Sequence, residues 1–221
     1  SLRACSQIPA TLVTVGFRAE YPGVESVELP RGYNHGAPIE SESPQHGSWL
    51  KVVNGNGVYV FTDGDIILQR PFTHQELDSL MDLPEGAILL GHNSGPEETL
   101  ALEAGRLSPH LPLDQIGVQF GLELEKTPCF NIGVIGARRA TFQAVYDAYM
   151  PLWELATDAF GHGARQQWLV CAVIAKLGIQ VQVLPYSFHA HGHYGVPPGV
   201  IVGSDGLVYY KNEVILFRHR L

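Results

Sequence analysis

The sequence predicts an α/β fold, with a mixed, mostly parallel twisted sheet flanked by helices. Three observations lead there. Short apolar, β-branched runs alternate along the chain with segments of helical periodicity. The clearest helical segment carries Phe142, Val145, Tyr146, Tyr149, Leu152, Trp153 and Ala156, recurring at three and four to give one apolar stripe. The clearest strand, Val58 to Phe61, stops at Thr62-Asp63-Gly64-Asp65. Open α/β sheets bind their ligands beyond the carboxyl ends of strands.

Taken in order, Thr11 to Phe17 is an apolar run that reads as a buried strand, followed by a short strand at Ser26 to Leu29. Residues 30 to 44, rich in Gly, Pro, Ser and Asn, read as a loop, and Gln45 to Val53 as a short helix with Trp49, Leu50 and Val53 on one side. Val58 to Phe61 is the next buried strand. Thr73 is a strong N-cap for a helix to about Met81, and Glu76 three residues on completes a capping box. Ala87 to Leu90 is a strand. Residues 91 to 128 show no clear period and read as a lid, a substrate loop or plain surface. Phe130 to Ile135 is a strand leading into the amphipathic helix, whose aromatic stripe reads as core rather than as a sugar platform. A second helix runs from Ala164 to Lys176 and closes at Gly178, a C-cap glycine. Ile179 to Leu184 is a strand. The last forty residues hold an HxHxH run, a hairpin around Asp205-Gly206 and a terminal strand, Glu213 to Phe217.

The 221 residues suit one large domain or two small ones. With no internal repeat, residues 1–221 are taken as a single domain. Hydrophobic residues at 45% and a mean hydropathy of +0.04 are those of a globular protein, and no apolar run is long enough to span a membrane. The formal charge of −8 argues against general nucleic-acid binding, which needs a basic face. Cys5, Cys129 and Cys171 are odd in number and lack a CxxC spacing, so they read as buried free thiols in a cytoplasmic protein rather than as disulfides or zinc ligands. The chain opens on Ser1 rather than Met, which leaves a trimmed N-terminus and a lost targeting segment open. Oligomeric state has no signature in the sequence.

Chemistry concentrates in Val58 to Phe72. Asp63 and Asp65, separated only by Gly64, repel each other unless a cation sits near them, and paired carboxylates select hard cations such as Mg²⁺, Mn²⁺ or Ca²⁺. Asp and Gly are also common in solvated turns. Here, however, the acids stand between an apolar strand and Ile66-Ile67-Leu68.

FTDGDIILQRPF resembles the Asp-x-Asp segment of the GT-A-fold nucleotide-sugar glycosyltransferases, the family-8-like group in particular. Three further segments follow in that family's order: Cys129-Phe130-Asn131-Ile132-Gly133-Val134-Ile135, Gln166-Gln167-Trp168-Leu169, and Val214 to His219. Gln166 stands where the family has Asp, and the family's C-terminal Lys-Pro-Trp is absent. The resemblance covers roughly residues 10 to 221. It implies a GT-A-like domain lacking the first nucleotide-binding strand, which makes Thr11 to Phe17 the second. It also implies transfer of a hexosyl group from a UDP-sugar to a hydroxyl acceptor. Asp63, Asp65 and His219 would then bind Mn²⁺ or Mg²⁺. Asp63, Gly64, Asp65, Asn131 and Gly133 would hold the donor, and Asn131 and Gln167 would act on the sugar.

Each residue also has a plainer reading. His219 is otherwise a surface histidine in a basic tail, Asn131 a turn residue, and Gln167 a helix cap. Arg70 pairs with phosphate or with a surface carboxylate, and the carboxylate is preferred. Asn93, Glu97 and Glu98 are candidates for an acceptor loop. His189, His191 and His193 alternate, so on a strand they share one face. They read as a polar rim, or else as ligands of Zn²⁺ or Fe in a metal-dependent hydrolase or oxygenase. A carbohydrate-binding module without catalysis is the non-enzymatic alternative. No P-loop, dinucleotide fingerprint or nucleophile elbow occurs.

Overall fold

The computed structural model describes residues 11–15, 25–29, 55–63, 66–93, 98–107, 113–160, 165–192 and 196–219. The expected helix at Gln45 to Val53 lies outside them, as do Cys5, Gly64, Asp65, Glu97 and His193. Strands β1 (Thr11–Val15) and β2 (Glu25–Leu29) pair in parallel. A four-stranded sheet follows the order β3-β6-β5-β7, built from β3 (Val58–Thr62), β5 (Ile88–His92), β6 (Phe130–Arg138) and β7 (Val181–Leu184). Strand β6 is antiparallel to both of its neighbours, and β5 is parallel to β7. Strands β3, β5 and β7 therefore all run the same way. A three-stranded sheet joins β4 (Ile66–Leu68), β12 (Phe217–His219) and β8 (His189–His191), with β12 antiparallel to β4 and parallel to β8. Strands β9 (Val200–Val202), β10 (Val208–Tyr210) and β11 (Glu213–Val214) form an antiparallel meander. The mixed α/β class expected from the sequence is the one observed, but among the described strands antiparallel pairings outnumber parallel ones, five to three, where mostly parallel pairing was expected.

Period-two alternation distributes the strand side chains over two cores. Ile88, Leu90, Ile135 and Ala137 face one cluster, whereas Leu89 and Val134 face the other. The first cluster is covered by α4 (Arg139–Phe160) and α5 (Arg165–Leu177). From the α4 stripe, Phe142, Val145, Tyr149 and Trp153 are buried in it, so these aromatics are core, as read. Each such side chain removed from water contributes about 1.5–3 kcal/mol. Helix α5 ends where Gly178 adopts φ +63, the left-handed conformation that a helix C-cap requires.

The stretch without clear period holds two helices, α2 (Leu100–Leu107) and α3 (Leu113–Phe120). Leu100, Ala104, Ile116 and Phe120 from these helices join the main core, so this part of the stretch is neither lid nor bare surface. Each helix has only eight residues, yet Leu100, Ala104 and Leu107 in one and Leu113, Ile116 and Phe120 in the other stand at helical spacing that sequence reading passed over. Tertiary contacts place them: Trp168 Nε1 donates to Leu100 O at 2.9 Å, and the Trp168 ring meets Phe120 edge-on at 4.9 Å.

Two strands read as buried are only half so. Strand β3 lies at the edge of its sheet with intermediate burial, and Ile67 in β4 is 44% exposed. The expected terminal strand is divided, with Ile215 and Leu216 between β11 and β12 and both fully buried. The Asp205-Gly206 hairpin is present, closed by Gly203 N donating to Leu207 O at 2.8 Å. A second tight turn links β10 to β11, with Lys211 and Asn212 at positive φ. Cys129 and Cys171 are buried free thiols.

Helix α1 (His74–Met81) begins on the expected capping box: Thr73 Oγ1 accepts from Glu76 N, and Glu76 accepts from Thr73 N at 2.8 Å. The Glu76 carboxylate is also gripped by Arg70 through two bonds of 2.9 and 2.6 Å. Burial pushes the Glu76 carboxyl upward, but Arg70 and the Thr73 cap together outweigh it and hold the group below the usual carboxylate range. Arg70 is thus committed to a carboxylate and to Val214 O at 2.7 Å. Thr73→Ala should lower the unfolding free energy by about 1 kcal/mol. Glu76→Ala should cost more because it also strands Arg70, and urea titration of the two variants checks the order.

Candidate functional site

Because β3, β5 and β7 share one direction, their carboxyl ends lie at one edge of the four-stranded sheet, where β6 begins. Asp63 follows β3 at that edge, and the chain turns from there into β4 of the neighbouring sheet. The register of β5 against β6 jumps at this point. Leu90 faces Ile135 but Gly91 faces Asn131, so Ile132 to Val134 bulge out of the pairing with β5. Bulges of this kind re-aim backbone and side chains beside sites.

Gly133 sits in the bulge and is contacted on three sides. Its carbonyl accepts from Asp63 N at 2.8 Å. Its N–H donates to Asn131 Oδ1 at 2.9 Å. Its Cα lies under the His219 ring, where a Cβ would come within 2.4 Å of His219 Cε1. His219 is 3% exposed, so it is not a surface histidine. It pairs with Ile66, the residue directly after Asp65. The structure thus brings Asp63, Asn131, Gly133 and His219 together.

The histidines of β8 are not a polar rim. His189 and His191 are buried, in register with Phe217 and His219, and their rings lie 5.8 and 4.5 Å from that of His219. His189 stands over Gly91, where a Cβ would meet Nδ1 at 2.1 Å. Burial, then the neighbouring imidazoles of His219, His191 and His92, pushes His189 down to about 3. It is therefore neutral at physiological pH. Among the described residues, no three His, Cys, Asp or Glu side chains converge to hold a metal. That finding covers His189, His191 and His219. It does not reach the pair of acids, because Asp65 is outside the described residues.

A line of polar side chains runs inward from Gly133. Asn131 Nδ2 donates to Gln167 Oε1 at 3.2 Å, and Gln167 Nε2 donates to Glu103 Oε1 at 3.2 Å. Asn131 belongs to a strand and Gln167 to the first turn of α5, so neither is the turn residue or helix cap of the plainer reading. Glu103, on α2, is buried, and it also accepts from Asn93 Nδ2 at 3.2 Å. Arg106 approaches Glu103 at 3.4 Å while holding Glu98 through bonds of 2.6 and 2.8 Å. Asn93 and Glu98 thus serve this inner network. Sequence reading missed Glu103 and Arg106. Glu103 looked like one more surface acid, and only the placement of α2 buries it.

The Asp63 backbone and the His219 ring meet at Gly133; carboxylate oxygen is a ligand type for Mg²⁺ and Mn²⁺, and imidazole one for softer divalent ions. The absent Cβ at Gly133 is what lets His219 reach that position. A separate groove of about 740 Å³, between α1 and β7, is lined by Arg70, Glu76, Leu184 and Phe188 and includes none of Asp63, Asn131 and Gln167.

No protein-family model and no curated protein matches the chain. Among solved structures, apo mouse xyloside xylosyltransferase 1 is similar over 99% of this chain and 89% of that one, with a TM-score of 0.52 and 12% identity. At that identity the likeness is one of fold. It supports the glycosyltransferase fold without singling out the family-8-like group.

Two outcomes follow. Gly133→Ala should drive the His219 ring aside and destabilise the protein by about 1–3 kcal/mol, the usual cost of overpacking, read by urea unfolding. An unfolded imidazole takes its proton near pH 6.5, but folded His189 takes one only at about 3. The unfolded state binds more protons in that window, so metal-free protein should lose stability as pH falls from 6.5 toward 3. His189→Leu should flatten the urea-midpoint profile over the same range.

Proposed function

We propose that this chain is a metal-dependent glycosyltransferase that moves a glycosyl group, a hexosyl group by the sequence resemblance, from a UDP-sugar to a hydroxyl acceptor. The observation that carries the reading is the convergence of Asp63, His219 and Asn131 on Gly133 at the carboxyl ends of three like-directed strands. The fold shared with a glycosyltransferase supports it.

In this reading Asp63, Asp65 and His219 hold Mn²⁺ or Mg²⁺, and Asp63, Gly64, Asp65, Asn131 and Gly133 contact the donor. A divalent ion there supplies positive charge for a departing diphosphate, a contribution of several kcal/mol. That suits an acidic chain, which has little positive charge of its own to offer a polyanion. Asn131 and Gln167 present amide groups to the sugar and hold its anomeric carbon within reach of the acceptor. The bond from that carbon to the diphosphate oxygen breaks with its electron pair leaving on UDP. The acceptor oxygen bonds to the carbon, and its proton is released. Fixed amides cost no reorganisation as the reaction proceeds, which is the advantage of a pre-set polar site.

The mouse protein is named a xylosyltransferase, so a pentosyl donor is the natural comparison. Calorimetric titration of UDP, UDP-glucose and UDP-xylose, in Mn²⁺ and in EDTA, tests the proposal on wild type and Asp65→Asn. Binding should require the metal, fall by tenfold or more in the variant (about 1.4 kcal/mol), and rank the two sugars. Absence of binding by folded wild-type protein, or equal affinity in EDTA, would overturn it.

A further inference from the structure

We infer that Glu103 is a positioning residue that, with Asn131 held by Gly133 N–H, fixes which atoms of Gln167 face the donor sugar. The inference rests on the proposed glycosyl transfer for its consequence, but its structural content stands without it.

A side-chain amide can turn by half a revolution and exchange its oxygen for its nitrogen at almost no steric cost. Its hydrogen-bond partners decide which orientation holds. Here the ends of the line decide for every member. At one end Gly133 N–H can only donate, so Asn131 must offer Oδ1, at 2.9 Å. At the other end the Glu103 carboxylate can only accept, so Gln167 must offer Nε2, at 3.2 Å. Between them, Asn131 Nδ2 meets Gln167 Oε1 at 3.2 Å. Turning either amide alone sets nitrogen against nitrogen and oxygen against oxygen, which leaves buried donors and acceptors without partners. Each amide spends one N–H within the line and keeps its second. The site therefore meets a ligand with two fixed N–H donors, suited to the hydroxyl oxygens of a pyranosyl group.

Glu103 is held to the task by its own partners. Its Oε2 accepts from Asn93 and from Arg106, and its Oε1 accepts from Gln167. Arg106 supplies the positive charge that a buried carboxylate needs. The network also distinguishes two replacements. Glu103→Met removes the acceptor at one end, so Gln167 is held only by Asn131 Nδ2 and turning it sets one mismatch instead of two. Glu103→Gln keeps an oxygen for Gln167, and its new N–H₂ faces Asn93. The Asn93 Oδ1, which accepts no hydrogen bond among the described residues, can turn to receive it.

The test compares wild type, Glu103→Met and Glu103→Gln by the side-chain amide ¹⁵N–¹H signals of Asn131 and Gln167, and by donor turnover. We expect one sharp pair of signals per amide in wild type and Glu103→Gln, and doubled or broadened pairs in Glu103→Met with the core backbone signals unmoved. Turnover should fall roughly ten- to hundredfold in Glu103→Met, with UDP affinity unchanged, and Glu103→Gln should restore most of it. If Glu103→Met fails to fold, Glu103→Met/Arg106→Leu/Glu98→Gln also removes the two charges paired beside it, so none is left stranded. Unchanged amide signals in the Met variant, or equal turnover loss in the Met and Gln variants, would overturn the inference. Failure of wild type to bind UDP would instead strike at the proposed transferase activity, leaving the amide signals to judge Glu103.

Discussion

The site depends on one residue without a side chain. Gly133 gives its carbonyl to Asp63, its N–H to Asn131 and its open Cα to the His219 ring. Three segments far apart in sequence are thereby indexed to one peptide unit in a buried strand. The bulge of β6 against β5 falls at this residue, while its carbonyl extends the pairing with β3 to Asp63. Gly91 repeats the device one strand over, yielding its Cβ space to His189. The two glycines let a layer of imidazoles lie directly against the sheet.

Burying polar groups is costly unless each finds a partner. The line from Gly133 through Asn131 and Gln167 to Glu103 meets that condition by alternating donor and acceptor. Its charged end is matched by Arg106, which in turn is steadied by Glu98. What keeps the line in place is the apolar core behind it. Trp168, next to Gln167, is wholly buried, bonds to Leu100 O and packs on Phe120, so α5 and α2 cannot part without opening the main core. The rigidity of the candidate site is in this sense borrowed from hydrophobic packing.

Much of the scaffold was legible because it is local. The capping box at Thr73 and Glu76 needs only four residues, and the α4 stripe needs only a helical period. Gly178 at the end of α5 and Asp205-Gly206 between strands follow from backbone conformations that few residues adopt. Helices α2 and α3 were passed over although Leu100 and Ala104, and Ile116 and Phe120, stand at helical spacing; each is only eight residues long, and the core decides which face is buried. The half-exposed β3 and β4 were misjudged for a related reason, since an apolar strand does not state whether it will lie at an edge.

The sequence by itself determined the α/β class, the acidic turn closing a strand, and the residue types available for chemistry: Asp63, Asp65, Asn131, Gln167 and His219. These depend on short-range patterning and on the chemical nature of each side chain. The tertiary structure alone decided that His219 lies on Gly133, that His189 and His191 are interior rather than rim, and that Glu103 is buried against Gln167. Each of those facts joins residues separated by tens of positions through strand register and helix packing, and such long-range pairings are fixed by the global burial of apolar surface.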